Sequence, residues 1–167
     1  MADSRHDSER RFGGIRRLYG AAGLQRFREA HVCVIGIGGV GSWAAEALTR
    51  SAVGRLTLID LDHVAESNIN RQLHALSDTL GQAKVVAMAE RIRQINPDCE
   101  VDGIEAFIEA DNLAGLLGHG HRRRRQEQAP AVDDGRQPLI AVLGDQRRGE
   151  RHDRDGQQIE HVEQQQP

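Results

Sequence analysis

Gly36, Gly38 and Gly41, with Gly39 between them, form a GxGxxG turn. Glycines at this spacing let backbone N–H groups close on a phosphate. The first permits a tight bend, the second a close approach, and the third tight packing of the helix that follows, whose N-terminus adds partial positive charge. Asp60 lies 19 residues beyond Gly41, where an acid ending the next strand can accept both hydroxyls of a ribose. The polar segment that follows carries Asp62, Asn68 and Arg71, and Lys84, the sole lysine of the chain, opens a helical pattern. A cation in the first turn of a helix opposes the macrodipole by a few tenths to ~1 kcal/mol, and a docked anion removes that penalty. Arg71 and Lys84 together suit a triphosphate better than the pyrophosphate of NAD, which the backbone turn already serves. An exposed loop with scattered charges is the other reading of the same residues.

Such a turn works only between a strand and a helix, and the pattern provides both. His31 to Gly36 is a nearly continuous apolar run, as expected of a strand buried on both faces of a parallel sheet. Ser42 to Ser51 reads as a helix and Arg55 to Asp60 as a second strand, completing a βαβ unit. A second helix is predicted from Gln82 to Ile95, with Val85, Met88, Ile92 and Ile95 on one face and Asn96-Pro97 as its stop. A third strand is expected at Glu100 to Ile104, and Asp111 can cap a short helix through Leu117. Ahead of the unit, Ile15 to Ala30 suits a helix with Ile15, Leu18, Leu24 and Phe27 as its apolar positions, interrupted near Gly20–Gly23. The fold class is α/β, a Rossmann-like parallel sheet.

Composition divides the 167 residues in two. All aromatics lie within the first 107 residues, whereas 119–167 carries nine Arg, nine Gln and nine acids against seven large apolar residues. Such a stretch buries too little surface to offset its ordering entropy. The expected organisation is a nucleotide-binding domain over 1–118 and a disordered tail over 119–167, with Pro138 to Leu143 its one patch able to form a strand. A net charge of −3 gives no bulk field for polyanions. Arg122 to Arg125 reads as a solvated charge run, the histidines as solvated residues, and Cys33 and Cys99 as structural thiols. Without a CxxC pair the common structural zinc site is excluded. No apolar run reaches the ~20 residues of a membrane span, and the polar start is no signal peptide; a cytoplasmic protein is expected.

Gly36-x-Gly38-Gly39-x-Gly41, then LTLIDLD, SNINRQ and GQAKV, resemble the ThiF/MoeB/HesA superfamily of adenylating enzymes, relatives of ubiquitin-activating enzyme. The opening RFGGIRRLYG, Arg11 to Gly20, is similar to the branch of tRNA threonylcarbamoyladenosine dehydratases. The resemblance covers about residues 10–117. It implies ATP at the glycine turn and attack of a carboxylate on the α-phosphate, giving an acyl-adenylate and pyrophosphate. It implies Asp60 on the ribose, Asn68, Arg71 and Lys84 on the phosphates, Asp62 in the Mg²⁺ region, and Arg11 reaching the ATP site of the other subunit in a homodimer. In the dehydratase branch the activated group is the threonylcarbamoyl carboxylate on tRNA, whose ring closure needs no cysteine nucleophile. The alternatives are adenylation of a small sulfur-carrier protein at its C-terminal Gly-Gly, a non-catalytic nucleotide-binding module and, from fold alone, an NAD(P) oxidoreductase. The family's later acidic motif has no counterpart in 119–167, where the change of composition resembles a shifted reading frame. On that reading this chain is an incomplete, poorly active copy.

Overall fold

The computed structural model describes residues 7–108, 111–112 and 140–143. Helix α1 (Ser8–Glu29) leads into β1 (His31–Ile35), α2 (Gly41–Arg50), β2 (Arg55–Ile59), a 3-10 turn (Glu66–Asn68), α3 (Lys84–Ile95), β3 (Glu100–Ile104) and β4 (Ile140–Leu143). The strands form one parallel sheet in the order β3-β2-β1-β4. The order reverses between β1 and β4, and in open α/β sheets ligands bind beyond the strand C-termini at that reversal. The glycine turn leaves β1 at this place.

Every residue of β1 is buried, because alternate side chains feed two cores. Val32 and Val34 pack with Leu56, Leu58, Val85, Met88 and Ile92 beneath the helices. Cys33 and Ile35 face the other way, with Ile59 and the partly buried Ile104, Ala106 and Ile108. On α3 the spacing of Val85, Met88 and Ile92 places all three on the buried face, as the sequence pattern predicts. Buried Asn96 ends that helix by donating to the Val53 carbonyl at 3.2 Å.

Helix α1 starts at Asp7, whose carboxylate accepts the Arg10 N–H at 3.1 Å, and kinks at Gly20, where φ is 74°. The kink falls where expected but re-registers the apolar face. Phe12 and Leu24 bury against Ala52, whereas Leu18 is 71% exposed.

A polar contact locks α2 to α3. Glu46, buried on α2, accepts from Arg91 of α3 through both carboxylate oxygens and from Arg50 at 2.7 Å, and the Arg91 bond foremost holds its carboxyl below the usual range. Replacing Glu46 with Ala strands Arg91, but both arginines reach solvent, so the expected loss is about 1–2 kcal/mol. Urea denaturation checks this, and an unchanged midpoint would contradict it.

Strand β4 lies inside the stretch expected to be a disordered tail. It pairs with β1, Val32 opposite Ile140 through Ile35 opposite Leu143, so its partner lies outside the stretch whose composition was read. The rest of 119–167, including His119, His121 and Arg122 to Arg125, lies outside the described residues. So does the helix expected after Asp111, beyond a turn at 111–112. Among the described residues no helix is long and apolar enough to cross a membrane.

Candidate functional site

The glycine turn is built by sterics. Gly36 sits at φ 82°, a region that disfavours side chains, and donates to the Ile59 carbonyl at 2.8 Å. A Cβ on Gly41 would lie 1.8 Å from the Gly36 carbonyl oxygen, so only glycine lets α2 begin this close to the turn. The N–H groups of Gly38, Gly39, Val40 and Gly41 make no hydrogen bond among the described residues, and no side chain caps α2. Four donors and the positive end of a helix therefore face the ligand side together.

Asp60 fastens this turn to the end of β2. Its Oδ2 accepts the Ile37 N–H at 2.6 Å and its Oδ1 the Asp62 N–H at 2.8 Å. A carboxylate offers about four acceptor positions, so capacity for hydroxyl donors remains. Lys84 is 5% exposed, not solvated, and its Nζ lies 2.7 Å from Asp62 Oδ2 and 3.9 Å from Asp60 Oδ1. An antiparallel bridge from His63 to Ala83 and a bond from the Val64 N–H to the Gln82 carbonyl hold the lysine there.

Arg71 lies across the turn, its Cδ 3.5 Å from where a Cβ on Gly39 would be. Its Nη1 donates to the Ser67 carbonyl at 2.7 Å and to Asn70 Oδ1 at 2.9 Å. Asn68 is buried beneath the loop, and its Oδ1 accepts the Ala65 N–H at 3.0 Å. The structure thus gathers Gly36 to Gly41, Asp60, Asp62, Asn68, Arg71 and Lys84 around one turn. Arg11 is elsewhere in the protomer. It donates to the carbonyls of Gln94 and Ile95 at the far end of α3, ~17 Å of helix away from Lys84.

No group of three metal-ligating side chains occurs among the described residues. Cys33 and Cys99 are buried free thiols, and burial pushes them up to about 11 and about 12, which leaves neither a nucleophile at neutral pH. Two histidines depart from the expectation of solvated residues. His31 is buried with Nε2 2.9 Å from Thr57 Oγ1. His74 is 2% exposed, and among the described residues neither ring nitrogen has a hydrogen-bond partner. Buried Gln72, two residues earlier, has its Oε1 without a partner among the described residues as well. A polar loop carries no sequence signal of this burial, because the loop is covered by elements remote in sequence.

The ThiF family model matches residues 13–120. The chain belongs to the ThiF family. Within it, 111 residues are 58% identical to the tRNA threonylcarbamoyladenosine dehydratase of Escherichia coli, covering 66% of this chain and 41% of that protein. The solved structure of the E. coli dehydratase in complex with ATP superposes with a TM-score of 0.68 at 43% identity, over 83% of this chain and 60% of that one. The molybdopterin-synthase adenylyltransferase of Salmonella typhimurium is 35% identical over 64% of this chain and 43% of that protein. The chain thus spans about two fifths of the length of these curated ThiF-family relatives.

Proposed function

We propose that this chain binds ATP at the Gly36–Gly41 turn and serves adenylation of the threonylcarbamoyl carboxylate on tRNA. The observation that carries the reading is the open N-terminus of α2, four N–H groups unpaired among the described residues, with the Arg71 stem against Gly39 and buried Lys84 beside Asp60. The relative solved in complex with ATP supports the nucleotide, and the 58% identity to a tRNA threonylcarbamoyladenosine dehydratase supports the substrate over a carrier protein.

The chemistry follows from charge. A carboxylate and a triphosphate repel each other, so cations must hold both and neutralise the charge that develops at the α-phosphate. The backbone N–H groups would cradle phosphate oxygens, Asp60 would accept the ribose hydroxyls, and Asn68 would add its side-chain amide. Lys84 would turn from Asp62 to the more highly charged phosphates. Mg²⁺ takes one or two carboxylates and completes its shell with phosphate and water. Asp62, whose side chain is 65% exposed, fits that habit and would hold the ion, which neutralises phosphate charge when bound. Arg11 would serve the neighbouring site of a homodimer, exchanging its α3 carbonyls for a partner's nucleotide. A cytoplasmic setting suits an enzyme that needs both ATP and tRNA.

Calorimetric titration of the chain with Mg·ATP and with NAD tests the nucleotide. ATP is expected to bind at least tenfold more tightly, and Lys84→Ala is expected to erase most of that preference while leaving NAD binding nearly unchanged. Tighter NAD binding would overturn the reading. Pyrophosphate exchange stimulated by a Gly-Gly-ending carrier protein but not by tRNA bearing threonylcarbamoyladenosine would move the substrate to the carrier-protein class.

A further inference from the structure

The loop that carries Arg71 is docked on the first turn of α2 by contacts outside the phosphate site itself. Trp43 donates its indole Nε1–H to the Arg71 carbonyl at 3.1 Å. Ser42, one residue earlier, accepts the Leu73 N–H through Oγ at 3.4 Å. Both residues stand immediately after Gly41, so the helix with the open N-terminus also grips the backbone of the arginine whose stem lies against Gly39. Trp43 is 57% exposed. It fills no core, so burial gives it no reason to stand at this place. Among the described residues its side chain makes one hydrogen bond, to the Arg71 carbonyl.

We propose that Trp43 is a positioning residue for Arg71, fixing through its indole N–H the backbone from which the arginine's stem lies against Gly39. The role rests on Arg71 being a phosphate contact, the reading given above, but the docking of the loop is independent of any ligand. An Arg side chain has several rotatable bonds, and a displacement of its Cα is amplified at the guanidinium. A single hydrogen bond at the Arg71 carbonyl, adjoining that Cα, fixes the origin of the swing. The one side-chain hydrogen bond of Trp43 among the described residues is to the Arg71 carbonyl, so its effect on a ligand is expected to run through Arg71.

Trp43 is the only tryptophan of the chain, so global replacement of tryptophan by benzothienylalanine alters this position alone, keeping the bicyclic ring and removing the N–H. Two measurements on the full chain decide the matter. The first is hydrogen exchange of the residue 67–73 amides without nucleotide, which is expected to accelerate about three- to tenfold in the N–H-less protein and in Trp43→Phe, as one lost hydrogen bond allows. Unchanged exchange in both overturns the proposal. The second is calorimetric Mg·ATP affinity in a double-mutant cycle with Arg71→Ala. Trp43→Phe is expected to weaken ATP about three- to tenfold in the parent and to have no effect once Arg71 is Ala. Equal losses in both backgrounds would show that Trp43 acts independently of Arg71, and overturn the positioning role. If the parent chain binds no ATP while the exchange result holds, the nucleotide reading fails and the docking of the loop by Trp43 stands.

Discussion

Gly41→Ala is expected to lower stability by about 3 kcal/mol and to weaken ATP binding more than tenfold. The new Cβ would fall 1.8 Å from the Gly36 carbonyl oxygen and 2.9 Å from its carbon, both backbone atoms, so no side-chain rotation relieves the clash. Either α2 backs away from the turn or the turn opens, and overpacking of this kind commonly costs ~1–3 kcal/mol and occasionally more. The same displacement moves the N–H groups of Gly38 to Gly41, which have no partner among the described residues. Gly39→Ala is the control. Its Cβ would meet Arg71 side-chain carbons at 3.5 Å, an ordinary contact, so the fold should keep its stability to within ~0.5 kcal/mol. If Gly39→Ala nonetheless weakens ATP while leaving NAD unaffected, the space above Gly39 belongs to the triphosphate and its arginine. Thermal melts and calorimetry on the two variants separate the glycine the fold needs from the glycine the ligand needs. A Gly41→Ala protein with parental stability and affinity would refute the steric account of the turn.

That contrast also shows what the sequence could and could not reveal. The βαβ unit was legible because its signals are local: an apolar strand with both faces buried, glycines at a spacing that serves a backbone turn, and an α3 face repeating at Val85, Met88 and Ile92. The third strand, Glu100–Ile104, was legible for the same reason. Partnerships between distant segments were not. Lys84 could be read as a cation opening a helix, but its burial between Asp60 and Asp62 depends on a bridge from His63 to Ala83. Strand β4 is four residues in a polar stretch, and only its pairing with β1 makes it a strand. Arg11 stood out by resemblance, yet its seat within the protomer, at the carbonyl end of α3, is set by the packing of α1. The indole of Trp43 left no pattern at all, since a single hydrogen bond to a main-chain carbonyl has no periodicity.

Stability is expected to fall by about 2 kcal/mol between pH 7.5 and pH 5, and by about 3 kcal/mol by pH 4, through His74 alone. Burial comes first among the causes that press its pKa down from 6.5 to about 4, followed by the positive charges of Lys84 and Arg91. With its folded value depressed, the ring stays neutral in the native protein while the unfolded chain takes up a proton below about 6.5. The stability His74 contributes is therefore fully present above 6.5 and is lost as pH falls towards 4. Glu46 is lowered from 4.5, so its contribution disappears only below that value, and between 6.5 and 5 the difference in slope between the parent and His74→Leu is what reports His74. Denaturant unfolding at pH 7.5, 6, 5 and 4 measures the slope, and His74→Leu should flatten it between 7.5 and 5. At pH 7.5 that variant should be about as stable as the parent, because it deletes two ring nitrogens that have no partner among the described residues and strands none of those residues' groups. A parental slope of zero across this window would mean that the ring is hydrated in solution. The effect bears on the site as well. A proton on His74 would set a third positive charge beside Lys84 and Arg91 in a buried setting, and the loop between Arg71 and α3 is what must yield to admit it. Loss of ATP binding on acidification should therefore track the unfolding of this loop, and His74→Leu should retain affinity at pH 5 where the parent has lost part of it.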